Sequence, residues 1–150
     1  YIVKINLSIE KYKNYHQSGD IGFRTKKIID FVNKNIYICN DININFNQLI
    51  NLLNDNKSGI IFEDNDKFYG IITNKDIVKL HSYQDKIGEI MNGNIKKYIN
   101  KNPIIIENSN EFIKNKIDFI RKYKFFKFIP VIDNEKCIGI IDNSKILKYL

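Results

Sequence analysis

The stretch GIITNKDIVKL, starting at Gly70, returns as GIIDNSKILKYL at Gly139, 69 residues later (139 − 70 = 69). The same order of elements leads into each copy. In the first half, IYIC within NIYICND reads as a strand, and INFNQLINLLNDN follows with Phe46, Leu49, Ile50 and Leu53 at helical spacing. SGIIFEDNDKFYGIIT then reads as a hairpin around the polar turn EDNDK, and NKDIVKL opens a short helix. The second half gives the strand NPIIIE and the helix NEFIKNKIDFIRKYK, with Phe112, Ile113, Ile117 and Ile120 on one face. The hairpin FIPVIDNEKCIGII, with DNEK as its turn, and the helix DNSKILKYL complete it. The first turn is expected to be about one residue longer than the second. A unit of this size cannot cover both faces of its own sheet, so the two copies are expected to pack on each other. The fold class is therefore α+β, with two β-α-β-β-α repeats packed as a pseudo-twofold pair. The expected boundaries are a leader over 1–24, one repeat over 25–82 and the other over 83–150. Within the connecting stretch HSYQDKIGEIMNGNIKKYINK, KIGEIM reads as a short helix and NGN as a break.

The formal charge of +7 raises the question of a nucleic-acid partner. Lys, Asn and Ile dominate throughout, Ala and Trp are absent, and Arg occurs only at Arg24 and Arg121. Lysines spread along a biased chain, with no arginine cluster for bidentate contacts, make no nucleic-acid partner the expectation. No apolar run approaches the roughly 18–20 residues of a membrane span, so no membrane partner is expected either. The opening YIVKINLSIEKYK is too interrupted by polar residues for a signal peptide. The chain starts at Tyr1 and is read as part of a longer protein. Cys39 and Cys137 lie in separate strand-like runs, far from His16 and His81. This spacing suits no metal; it suits two buried thiols in a reducing cytoplasm. There is no Gly-rich dinucleotide or phosphate loop, no zinc-protease motif and no nucleophile elbow.

Chemistry concentrates at Thr73 and Asp76. One reading is a helix start, with Thr at the cap and an acid three residues on. The other is a ligand site. A carboxylate beside a helix start can accept hydrogen bonds from vicinal ribose hydroxyls, while the Thr hydroxyl and the helix N–H groups hold phosphate. In the second copy Asp142 and Lys145 occupy the matching positions. An acid where phosphate would sit and a base where ribose would be held oppose those contacts. On the capping reading, Asp142 simply caps the second helix alone.

The duplicated order, with G-I-I-T-x-x-D-I closing the first unit and F-I-P-V-I-D opening the second hairpin, resembles a tandem CBS-domain pair of the cystathionine-β-synthase type. The connecting KIGEIMN…NPIII is similar to that family's D-I-M…N-P-I-x-I linker, and the resemblance covers about Thr25 to Leu150. It implies that Thr73 and Asp76 line an adenosine-nucleotide cleft. Ile38, Ile60, Ile61 and Phe62 would border the base, as alternatives to plain core roles. Lys127, just before FIPVID, could reach a phosphate. The leader IEKYKNYHQSGDIGFRTKKIIDFV is similar to the junction in bacterial arabinose-5-phosphate isomerases of the capsule and lipopolysaccharide pathway. There a sugar-isomerase (SIS) domain ends in F-x-x-x-H-P-G-G-x-L-G-x-x-L before a CBS pair. His16, Gly19 and Gly22 match that pattern; Gln17 replaces Pro and Ser18 replaces Gly. By this resemblance His16 belongs to the isomerase site of an intact parent, through an imidazole that titrates near neutrality. The chain itself carries no catalytic residues.

The resemblance implies a regulatory, non-catalytic module in the cytoplasm with no required cofactor. Its ligand would be AMP, ATP or a nucleotide-sugar, bound between the repeats. It would pair as a homodimer through the repeats, with the SIS domain upstream in cis. The rival readings are a ligand-free dimerisation and assembly module, or the CBS pair of another enzyme such as a sugar-nucleotide transferase.

Overall fold

Two β-hairpins organise the molecule, and each is set by a two-residue turn. The computed structural model describes residues 25–56, 58–76 and 95–149. The first hairpin joins β2 (Gly59–Asp64) to β3 (Lys67–Thr73) through Asn65 and Asp66, both left-handed at φ 53° and 63°. The second joins β5 (Ile129–Asp133) to β6 (Lys136–Ile141) through Asn134 and Glu135, at φ 51° and 67°. Two consecutive left-handed residues match the right-handed twist of the strands they connect.

Each hairpin carries a parallel third strand, β1 (Ile38–Cys39) beside β2 and β4 (Ile106–Glu107) beside β5. The sheet orders are β1-β2-β3 and β4-β5-β6. Helix α1 (Phe46–Asp55) covers the first sheet. Its start is closed by a reciprocal pair, in which Gln48 N donates to Asn45 Oδ1 at 2.9 Å and Asn45 N donates to Gln48 Oε1 at 3.0 Å. In the second repeat a 3-10 turn, Ile113–Lys116, runs into α2 (Ile117–Lys122), and α3 (Asn143–Leu147) follows β6.

The hairpins correspond residue for residue. Both have a bulge, after Phe62 and after Val131, and these sit 69 apart (131 − 62 = 69). The turns are therefore of equal length, and the longer first turn expected from the sequence is not found. The difference lies elsewhere. Cys39 pairs with Phe62, and Ile106 with Val131, so the first strands are only 67 apart (106 − 39 = 67). The second repeat thus holds two extra residues between its helix and its hairpin. Phe112 also departs from expectation: it is 38% exposed, off the buried face. The reason is local, since Lys27 bridges Phe112 and Ile113 N donates to Lys26 O, holding Phe112 extended ahead of the helix.

Strand alternation divides the core into three parts. Ile60, Phe62 and Ile72 face Leu49 and Leu53 of α1. Ile129, Val131 and Ile141 face Ile113, Ile120 and Ile146. Ile61 and Ile71 point the other way and meet Ile132, Cys137 and Ile140 between the sheets.

The lead-in to each repeat is built into the other one. Ile28 lies fully buried in the second core, with its N–H donated to Glu111 O at 2.9 Å. Ile95 is fully buried in the first core, with its N–H donated to Ile44 O at 3.0 Å. Asn33 then exchanges both backbone bonds with Ile140, at 2.8 and 3.1 Å, and Asn100 does the same with Ile71, at 2.9 and 3.0 Å. These reciprocal crossings are the pseudo-twofold relation in atomic form.

Cys39 and Cys137 are buried free thiols. Burial pushes both upward, Cys137 to about 11. An unfolded thiol titrates near 8.5, so folding favours the neutral form. That contribution is complete below about pH 8 and is lost as pH rises toward 11. The urea midpoint is expected to fall across this window by the equivalent of roughly 3 kcal/mol, and Cys137→Val should flatten the fall. Identical curves for both proteins would refute the assignment.

Candidate functional site

Thr73 is the last residue of β3, and residues 74–76 continue as helix. Asp76 turns back on the cap, and its Oδ2 accepts from Thr73 N at 2.8 Å and from Thr73 Oγ1 at 3.2 Å. Both residues are half-buried. The pair is a helix start in geometry, and both bonds fall on one carboxylate oxygen.

The second copy reaches its helix differently. Asp142 stands in the place of Thr73 and caps α3 by accepting from Ser144 N at 2.9 Å and from Ser144 Oγ. Lys145, in the place of Asp76, is exposed. Between them Asn143 is fully buried. Its N–H donates to Phe126 O at 3.1 Å and its Nδ2 to Tyr123 O at 2.9 Å, which ties residues 123–128 to the start of α3. Its Oδ1 is buried without a partner. The equivalent Asn74 is exposed. The two copies therefore share a backbone and the central asparagine, but that asparagine is exposed in one and buried in the other, and the flanking polar side chains differ.

The other candidates are dispersed. Lys127 is exposed, and the adjoining Phe128 ring lies 3.2 Å from where a Cβ on Gly59 would be. Gly59 is the strand partner of Thr73, so Phe128 brings the second repeat to the Thr73 end of the first hairpin. Ile60, Ile61 and Phe62 are fully enclosed on the central strand and serve as core. Ile38 is half-buried and lines a shallow cleft of about 570 Å³ with Tyr37, Asn40, Asp41, Gln48 and Asn51. Thr73 and Asp76 do not line that cleft. Its amide side chains were not singled out by sequence reasoning, although Gln48 and Asn51 stand three apart on the polar side of the α1 pattern. His16, the leader 1–24, the short helix expected at KIGEIM and the continuation of the helix beyond Asp76 lie outside the described residues. Among the described residues, no three His, Cys, Asp or Glu side chains group as a metal site, and no helix is long and apolar enough to cross a membrane.

No family model and no curated protein matches the chain. Solved structures do. Protein MJ1004 from M. jannaschii aligns with a TM-score of 0.64 at 20% identity over 82% of this chain; the chain spans 58% of that protein's length. CBSX2 in complex with AMP aligns at 0.63 and 17% identity, covering 81% of this chain and 93% of that one. The CBS domain pair of protein MJ0100, in complex with 5′-methylthioadenosine and S-adenosyl-L-methionine, aligns at 0.63 and 21% identity, covering 82% and 94%. The chain has the fold of a tandem CBS pair.

Proposed function

We propose that this chain is a regulatory CBS pair that binds an adenosine-containing nucleotide, with Asp76 accepting from the ribose hydroxyls and Thr73 and Lys127 serving a phosphate. The observation that carries this reading is the asymmetry of two otherwise equivalent positions. Thr73 and Asp76 converge in the first repeat, while the second has an acid, Asp142, in place of the neutral Thr73 and a base, Lys145, in place of the acid Asp76. AMP, 5′-methylthioadenosine and S-adenosyl-L-methionine, found in two similar structures, have adenosine in common. A ribose-directed carboxylate fits that shared moiety. Ile38 borders the base side in this reading. Ile60, Ile61 and Phe62 support it from beneath.

The finer assignments belong to the same proposal. The parent is a sugar-phosphate isomerase of the arabinose-5-phosphate type, whose SIS domain lies upstream and includes His16. The repeats pair two chains, and the ligand, AMP, ATP or a nucleotide-sugar, biases the attached enzyme by favouring one arrangement over another. Two buried free thiols fit a reducing cytoplasm. Calorimetric titration with AMP, ATP and a nucleotide-sugar is expected to show one saturable site per chain. Asp76→Ala should weaken it about 10- to 100-fold, the worth of a charge-assisted hydrogen bond. Circular dichroism of the variant checks that the lost cap leaves the fold intact.

One observation favours the rival reading of an assembly module without a ligand: the Thr73–Asp76 pair is already satisfied by its own capping bonds. Absence of binding to all three ligands, with a dimer in sedimentation that persists in Asp76→Ala, would establish that reading instead.

A further inference from the structure

The two residues that the second repeat carries beyond the first have a conspicuous outcome. From the end of its helix to the bulge of its hairpin the second repeat takes nine positions (131 − 122 = 9) where the first takes seven (62 − 55 = 7), and between α2 and β5 the chain runs YKFFKF over residues 123–128. Phe125 is 78% exposed and Phe126 45% exposed. Exposed phenylalanines in a loose loop would mean little, but this loop is held. Asn143 ties both Tyr123 O and Phe126 O, and Phe126 N donates to Tyr123 O at 3.0 Å. Tyr123 stands edge-on to Phe119 and Phe126, with centroids 4.9 and 5.5 Å away. A fully buried asparagine is thus spent on fixing a loop that presents an aromatic ring to water.

The surroundings define what that ring meets. Arg121, Lys122, Lys124 and Lys127 are all exposed, and Asp118 is the one acid between 117 and 128. Lys145 and Lys148 of the adjoining C-terminal segment are exposed as well. The lysine stems fold along the rings, with the Lys124 Nζ 5.1 Å from the Phe125 centroid and the Lys122 Nζ 5.3 Å from that of Tyr123. The partner must therefore be anionic and able to accept an apolar knob. Nucleic acid is the poorer fit, because a single arginine gives little bidentate phosphate recognition. A folded acidic protein would need a pocket shaped to a projecting ring. A bilayer interface needs no such shape: it takes aromatic side chains at the headgroup level and draws cations to its anionic lipids.

We propose that the 121–125 segment is a peripheral docking site for a bilayer surface bearing anionic headgroups, with Phe125 inserted and Arg121, Lys122 and Lys124 on the headgroups. This is contact with a surface, and it needs no helix long and apolar enough to cross a membrane. It does not depend on nucleotide binding.

The test is co-sedimentation of the whole chain with phosphatidylcholine vesicles, with and without phosphatidylglycerol. Binding is expected only to the phosphatidylglycerol vesicles and should weaken with added salt. Lys124→Glu should weaken it at least fivefold, since each cation near the surface contributes about that factor. Phe125→Ser should weaken it about tenfold by removing the inserted ring. Both side chains are exposed, so neither change disturbs the core, and Lys127 is left intact because the nucleotide proposal uses it. Failure to bind phosphatidylglycerol vesicles would overturn the proposal, as would equal binding by Phe125→Ser. Binding to soluble polyglutamate in place of vesicles would also overturn it, in favour of an acidic protein partner.

Discussion

Gly70→Ala or Gly139→Ala is expected to cost the protein about 3 kcal/mol or more, a large share of a typical domain's stability. Each glycine sits where the lead-in from the other repeat crosses. A Cβ on Gly70 would lie 2.4 Å from Asn100 O and 2.6 Å from an Ile99 methyl. A Cβ on Gly139 would lie 2.5 Å from Asn33 O and 2.4 Å from a Val32 methyl. The obstacle in both cases includes a backbone carbonyl, which cannot swing aside as a side chain can. Relief requires the crossing segment to lift, and with it the paired bonds of Asn100 to Ile71 or of Asn33 to Ile140. Urea unfolding followed by circular dichroism measures the loss. A midpoint unchanged by either substitution would mean that the crossings are not made as described.

The second large effect concerns Ile28 and Ile95. Truncating either to alanine should cost about 2–5 kcal/mol, the range for large-to-small changes in a tight core. The informative part is where the damage lands. Ile28 leads into the first strand of the first repeat but packs with Ile106, Ile113 and Ile141 of the second. Ile95 leads into the first strand of the second repeat but packs with Leu49, Phe62 and Ile72 of the first. In Ile28→Ala, amide hydrogen exchange should therefore accelerate in β5 and β6 before β2 and β3. Ile95→Ala should give the reverse. Loss of protection first in the repeat whose first strand each residue leads into would refute the exchange.

The repeat itself was legible because its signals are local. Alternating Ile runs, Asn-containing turns and helical spacing each specify an element within about ten residues, and the duplication confirmed every one against its copy. The crossings were not legible. Ile28 opens a single 3-10 turn and Ile95 sits at a bend, and only their tertiary contacts, such as the bonds to Glu111 O and Ile44 O, show which core they serve. Gly70 and Gly139 were visible as matching residues, yet nothing in the sequence says that a foreign carbonyl lies against them. The expected extra residue in the first turn was wrong for a related reason, and the two extra residues of the second repeat were not foreseen. The turns EDNDK and DNEK look unequal in length, but pairing of Asp64 with Lys67 and of Asp133 with Lys136 makes them equal.

At the site, the sequence identified the positions but not their state. Thr73 and Asp76 could be singled out from their spacing, and so could the acid and the base that replace them at Asp142 and Lys145. That Asp76 bonds back to its own cap is the helix-start reading that the spacing offered; the choice between that reading and a carboxylate turned to a ligand is one of side-chain rotamer, which spacing does not decide. Asn143 passed unnoticed between Asp142 and Lys145. Its burial follows from the longer loop that folds over it, a tertiary event with no local signature.

The reciprocal crossings also bear on the order in which the molecule can come together. Ile71 and Asn100 are 29 positions apart (100 − 71 = 29), a loop that closes soon after that part of the chain exists. Asn33 and Ile140 are 107 apart (140 − 33 = 107). Loop-closure entropy rises with separation, and contacts of high sequence separation slow the search for the native state. Two halves that are nearly equivalent once assembled are therefore unequal in time. The first is complete when residue 100 is available, while the second must hold its core open for a segment made more than a hundred residues earlier.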